Sequence, residues 1–141
     1  MGKLRPVLYF MYKKDLAKKY QVSTKTLKAW IDAMPALVDS LKYYGYDPQD
    51  KVFTPRQIEL IFDYIGSPSD FPELDGRQRF PLRVYRKSEL LDYYRTTHTT
   101  FNRYLNRFAD LQDLVNIYKT KNYIAPSDVK KIFNWLGWLT Y

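Results

Sequence analysis

The sequence predicts an all-α chain built from two repeated small helical units, each a helix-turn-helix followed by two further helices. Three observations predict it. First, sliding the chain by 74 residues places Leu16 on Leu90, Tyr20 on Tyr94, Thr26 on Thr100, Leu37 on Leu111, Asp39 on Asp113 and Tyr44 on Tyr118. After a three-residue deletion the shift becomes 71, and Pro55, Phe62 and Gly66 meet Pro126, Phe133 and Gly137. Second, the apolar residues inside each unit recur at i, i+3, i+4 and i+7, the spacing of one helix face. Third, Ser, Thr and Pro stand where those stripes begin and Gly where they end, which is the chemistry of helix termini. The expected boundaries are 1–68 for unit one, 69–79 for a linker and 80–141 for unit two, a degenerate repeat.

The elements follow in order. Val7 to Met11 is apolar and reads as extended. Lys14 to Lys19 carries Leu16, Ala17 and Tyr20 at helical spacing. Gln21-Val22 is a short break, and Ser23 is an N-cap whose hydroxyl can accept from the free N–H groups of the next turn. Leu27, Trp30, Ile31 and Met34 form the stripe of the second helix and are expected in the core. Pro35 opens a third helix, with Leu37, Leu41 and Tyr44 inward and Gly45 at its end. Thr54-Pro55-Arg56-Gln57 is a capping box with proline in the first turn. Ile58, Ile61, Phe62 and Ile65 follow it, and Gly66 with Pro68 closes the helix. The stretch Gly66 to Gly76 is turn-rich.

Unit two repeats the scheme. Phe80 to Tyr85 reads as extended, and Thr97 is the cap. Phe101, Tyr104, Leu105 and Phe108 form one stripe. Leu111, Val115 and Tyr118 form the next, and Val129, Ile132, Phe133 and Leu136 the last, before Gly137. Trp135, Trp138, Leu139 and Tyr141 make the C-terminal segment more apolar than a free end needs. It is expected either as core between the units or as a homodimer surface.

Composition narrows the function. The chain has 141 residues, 23 Lys and Arg against 15 Asp and Glu, and a net charge of +8. Such a charge favours a polyanionic partner, because Lys and Arg release counterions when they neutralise phosphates. Cysteine is absent and there is one histidine. Disulfides, thiol nucleophiles, Cys-based metal sites and histidine clusters are therefore excluded. Neither G-x-x-x-x-G-K nor G-x-G-x-x-G occurs, so no phosphate-cradling loop is expected. No apolar run reaches the ~20 residues of a spanning helix, and the N-terminus lacks the features of a signal peptide. The expectations are no cofactor, no metal, no membrane and a cytoplasmic location.

Residues 15 to 31 carry the functional motif, with Leu16, Ala17, Val22, Ser23, Thr26, Leu27 and Trp30 as its fixed points. The pattern resembles the helix-turn-helix of bacterial regulators and excisionases, L-A-x-x-x-G-V-S-x-x-T-L-x-x-W. Gln21 stands where those proteins usually have glycine, which implies a slightly different turn. Downstream, Leu41, Gly45, Tyr46, Phe53, Thr54, Pro55, Gln57, Ile58, Ile61, Ile65 and Gly66 extend the likeness. That wider pattern is similar to small, largely uncharacterised helix-turn-helix proteins of bacterial mobile elements. The resemblance covers unit one well and unit two loosely, where Leu91 replaces the small alanine and Arg95 replaces Gln21. It implies DNA binding without naming a target.

In such a motif the second helix enters a major groove about 12 Å wide. The side chains off its apolar stripe are then the candidate base contacts: Thr24, Lys25 and Lys28 in unit one, and His98, Thr99, Asn102, Arg103 and Asn106 in unit two. Arg suits guanine and Asn suits adenine, so unit two is expected to discriminate bases. Lys13, Lys14, Lys18, Lys19, Arg86, Lys87 and Arg95 are the candidate phosphate contacts. An extended linker from Gly66 to Gly76 spans roughly 36 Å at ~3.3 Å per residue, enough for adjacent grooves about 34 Å apart. The expected function is sequence-specific binding of double-stranded DNA, without catalysis, as a transcriptional regulator or an excisionase-like accessory factor of a mobile element. The rival is a non-catalytic interaction or packaging module on the same scaffold. An enzyme is disfavoured, because two small helical units hold no three-carboxylate core.

Overall fold

In a computed structural model the residues described are 4–68 and 76–141. Two series of elements follow one another. The first is β1 (Met11–Tyr12), α1 (Lys13–Lys19), α2 (Thr24–Asp32), α3 (Pro35–Tyr43), β2 (Val52–Phe53) and α4 (Pro55–Ile65). The second is β3 (Tyr85–Arg86), α5 (Lys87–Tyr94), α6 (His98–Leu105), α7 (Gln112–Ile117), β4 (Tyr123–Ile124) and α8 (Pro126–Leu136). The chain is therefore mostly helical, but not all-α. β1 pairs antiparallel with β2, Met11 opposite Phe53, and β3 pairs with β4, Tyr85 opposite Ile124. The segments entering α1 and α4 would otherwise leave backbone groups unpaired, and a two-residue ladder satisfies them. Each ladder runs on into the following helix: the Lys13 N–H donates to the Lys51 carbonyl (2.9 Å) and the Lys87 N–H to the Asn122 carbonyl (2.8 Å).

The helix ends use local chemistry. Ser23 Oγ accepts from the Thr26 N–H and Thr97 Oγ1 from the Thr100 N–H. In the capping box of α4 the Gln57 side chain accepts from the Thr54 N–H at 3.0 Å, while Thr54 accepts from the Gln57 N–H. Both residues are fully buried, and Gln57 also donates to the Tyr44 carbonyl at 2.9 Å. α8 lacks a side-chain cap at Ala125. There the Tyr118 hydroxyl accepts from the Ala125 N–H and donates to Asp128.

The apolar stripes form two clusters. One gathers Leu8, Leu16, Leu27, Ile31, Leu37, Leu41, Phe53, Ile58 and Ile61; the other gathers Tyr85, Leu90, Tyr94, Phe101, Tyr104, Leu111, Val129 and Phe133. Phe10 crosses over. It belongs to the second cluster, edge-on to Tyr94 (5.7 Å) and Tyr104 (5.3 Å), and its N–H donates to the Tyr94 carbonyl.

The two clusters pack directly on each other. Arg107 forks onto Asp50 at 2.6 and 2.8 Å and also donates to the Gly45 carbonyl at 2.8 Å. A Cβ on Gly137 would lie 2.6 Å from the Arg56 backbone nitrogen, so glycine there permits the approach of α8 to α4. Trp135 stacks on Phe108 at 4.7 Å and meets Tyr44. Gln78 and Tyr141 exchange backbone hydrogen bonds, Phe80 donates to Leu139 and Val7 donates to Thr140. Contact between the halves thus sets their spacing, so the reach attainable by Gly66 to Gly76 is not needed to place them. Residues 69–75 of that stretch lie outside the described residues, and residues 78 and 79 pair with the C-terminal segment. The C-terminal aromatics, expected either as core or as a homodimer surface, are engaged within the chain.

Trp30 departs from expectation. It is 38% exposed, whereas Tyr104, which follows Thr97 by the same seven positions as Trp30 follows Ser23, is 1% exposed. The difference is tertiary. Phe10 and Val52 of the first half cover Tyr104, whose hydroxyl donates to the Val52 carbonyl. Trp30 has Tyr20 edge-on at 6.0 Å on one side and an open groove on the other.

Candidate nucleic-acid interface

Two helix pairs, α1–α2 and α5–α6, present the candidate site, and the same turn builds both. After α1 the Val22 N–H reaches the Ala17 carbonyl (3.0 Å) and the Gln21 N–H the Lys18 carbonyl (3.0 Å). After α5 the Thr96 N–H reaches Leu91 (3.0 Å) and the Arg95 N–H reaches Asp92 (3.1 Å). These are the paired bonds of a Schellman ending, which requires a left-handed residue. Gln21 (φ 59°) and Arg95 (φ 51°) supply it without being glycine. The turn at Gln21 therefore keeps the backbone sign a glycine would have. Ser23 and Thr97 then start α2 and α6, each capping one first-turn N–H, that of Thr26 or Thr100.

On α2, Thr24, Lys25 and Lys28 are exposed. Lys28 ion-pairs with Asp32 one turn on, at 2.5 Å. On α6, His98, Thr99 and Arg103 are exposed, as is Asn106 at its C-cap. Asn102 is half-buried. Its amide lies 3.2 Å from His98 Nε2, which also lies 3.3 Å from Lys87 Nζ.

The basic residues divide into two groups. Lys13 and Lys87, each the first residue of its helix pair, are turned into the fold. Lys13 donates to the Pro48 carbonyl (3.0 Å) and the Tyr46 hydroxyl and sits 4.8 Å from the Tyr46 ring centre. Lys87 donates to the Tyr118 carbonyl at 2.7 Å. Burial lowers the Lys13 pKa, against the pull of Asp50. Burial alone would raise the Asp50 carboxyl, but the hydrogen bonds and charge of Arg107 outweigh it and hold the group below the ordinary carboxylate value.

The second group is exposed apart from the half-buried Lys19. Lys18, Lys19 and Arg95 line one cleft of about 500 Å³ beside Tyr9 and Asp15, with Arg95 3.9 Å from the Tyr9 ring centre. Basic residues from both halves thus meet at one place. Lys14, Thr24 and Lys28 line a second cleft of about 580 Å³, joined by Lys51. Arg86 is exposed, 5.6 Å from the Tyr123 ring centre. Sequence reasoning missed Lys51, which stands in no motif. It also missed Arg107, whose partner Asp50 is 57 residues away.

Among the described residues no three His, Cys, Asp or Glu side chains gather as a metal site, and no helix is long and apolar enough to cross a membrane. One family model, described as a domain of unknown function (DUF4248), matches residues 8–68. That span is less than half of the chain and runs from the first residue of the first apolar cluster to just past α4. No curated protein and no solved structure matches the chain.

Proposed function

We propose that this protein is a duplicated helix-turn-helix unit that binds double-stranded DNA without catalysis. Its proposed role is a cytoplasmic transcriptional regulator or an excisionase-like accessory factor of a mobile element. The observation that carries the reading is the recurrence of one turn at two places. Left-handed Gln21 and Arg95, then capping Ser23 and Thr97, each launch a helix whose first residues face solvent. The excess positive charge and the joint cleft of Lys18, Lys19 and Arg95 support a phosphate backbone as partner.

The duplication is supported by element order. β1, α1 and α2 begin 74 residues before β3, α5 and α6, and β2 and α4 begin 71 residues before β4 and α8. In this reading α6 discriminates bases through Arg103 and Asn106, with Asn102 available once its bond to His98 opens, and α2 adds mainly phosphate contacts. Selection of bound duplexes from a random pool tests it. Arg103→Ala is expected to relax preference at one or two positions, by about 1–3 kcal/mol each. Lys28→Ala is expected to cost less, and equally on every sequence. A selected site whose preference survives Arg103→Ala refutes the assignment. The exposed Trp30 and Tyr64 favour a second, compatible reading, an interaction or packaging module on this scaffold.

A further inference from the structure

The interface between the halves is one-sided, and that leaves two surfaces, one on each half, that the other half does not cover among the described residues. In the second half, Tyr94, Tyr104, Arg107 and Phe108 form a groove that the first half fills with Phe10, Asp50 and Val52. Seventy-four residues earlier stand Tyr20, Trp30, Ala33 and Met34. They line a groove of about 600 Å³ with Tyr64 and Ile65. The two grooves share their framing: the Tyr20 hydroxyl donates to the Gly66 carbonyl, and the Tyr94 hydroxyl donates to the Gly137 carbonyl.

The filling side has its own counterpart. At the same offsets Phe10 corresponds to Val84 and Val52 to Tyr123. Phe10 is buried, but Val84 is 48% exposed and Tyr123 55% exposed, with Leu82 exposed beside them. A contact in which unlike surfaces meet does not close on itself, so the described residues end in one groove and one knob that the other half leaves unfilled.

We propose that a second copy of this chain docks its Val84–Tyr123 surface into the Trp30 groove, so that copies add head to tail. The contact reuses the geometry by which the two halves already meet. It rests on the duplicated-unit reading and not on DNA binding.

The same comparison says why the contact is weak. Val84 is smaller than Phe10, and the Arg107–Asp50 fork is replaced by Ala33 facing Lys121. A charge of +8 on each copy adds repulsion, which salt screens within about 10 Å at 0.1 M. Association is therefore expected to strengthen with salt, or where a polyanion neutralises the copies.

Sedimentation velocity of the full chain without DNA, at high salt, tests the proposal. The wild-type sedimentation coefficient should rise with concentration toward the millimolar range of weak contacts. Trp30→Glu and Val84→Glu lie at exposed positions, and circular dichroism is used to check that each folds. Each alone should stay monomeric. Mixed, they should form a dimer and go no further, because one molecule keeps an intact groove and the other an intact knob. Ala33→Arg with Lys121→Asp, which rebuilds the missing ion pair, should tighten wild-type association by up to roughly fivefold, the upper end for an exposed pair. A wild type that stays monomeric overturns the proposal. So does association that Trp30→Glu leaves intact, or a mixture that stays monomeric. Because DNA is absent, any of these results leaves the DNA-binding reading standing.

Discussion

Replacing Asp50 by Asn should loosen the contact between the two halves more than an ordinary surface change would. Arg107 makes three bonds there, two to the Asp50 carboxylate at 2.6 and 2.8 Å and one to the Gly45 carbonyl at 2.8 Å. The Asp50 side chain is 8% exposed and that of Arg107 24%. Breaking a fully buried pair by removing one partner costs about 3–5 kcal/mol. The residual exposure of Arg107 lets water replace part of the loss, so about 2–3 kcal/mol is expected. For a chain of this size that lowers Tm by roughly 5–10 °C. A double-mutant cycle with Arg107→Ala and Asp50→Ala isolates the coupling, expected at about 1.5–2.5 kcal/mol against the ~1 kcal/mol ceiling of exposed pairs. The pH dependence has a definite sign. The folded Asp50 pKa lies below its unfolded value near 3.9. The contribution is therefore complete above about pH 4 and is lost as pH falls through the lower, folded pKa. Urea unfolding of the four proteins at pH 7 and near pH 3 makes the measurement. A coupling under about 0.5 kcal/mol at pH 7 would refute the view that this pair fastens the halves.

Two further changes probe the backbone. Gly137→Ala should destabilise by about 3 kcal/mol or more, since φ is 117° and the new Cβ would meet the Arg56 nitrogen at 2.6 Å. Gly66→Ala has a similar φ (98°) but nothing within 4 Å, so thermal unfolding should show only the smaller strain cost, about 1–2 kcal/mol. Equal losses at the two sites would mean that the α4–α8 approach is not tight. Gln21→Gly should stabilise by about 0.5–1 kcal/mol, because relief of the left-handed strain exceeds the added chain entropy. Gln21→Val should destabilise, and a stabilising valine would contradict the turn geometry.

What the sequence discloses here is what is local. Ser23, Thr97, Pro55, Pro126, Gly66 and Gly137 act within one turn of their own helices, and each stands where its chemistry predicts. The extended readings of Val7 to Met11 and Phe80 to Tyr85 reach the first residues of β1 and β3, but β2 and β4 were not legible, because two residues are too few to show an alternating pattern. Trp30 and Tyr104 occupy like places in like stripes, and only the arrival of Phe10 and Val52 makes one of them core. Lys13 and Lys87 read as phosphate contacts because lysines at the start of an amphipathic helix are usually solvated. Here the loops before β2 and β4 turn the Pro48 and Tyr118 carbonyls toward them. Arg107 and Asp50 sit in no shared pattern at all, since their pairing arises only when the two halves dock.

The salt dependence of duplex binding tests the central claim most directly. A labelled random duplex is titrated with the protein by fluorescence anisotropy across a range of sodium chloride. The slope of log K against log salt reports about 0.9 per phosphate neutralised. With Lys14, Lys18, Lys25 and Arg95 exposed, a slope of about −3 or steeper is expected. Lys18→Ala should flatten it by about 0.9 and weaken all sequences alike. No binding at low salt, or binding whose strength ignores salt, would contradict a nucleic-acid partner.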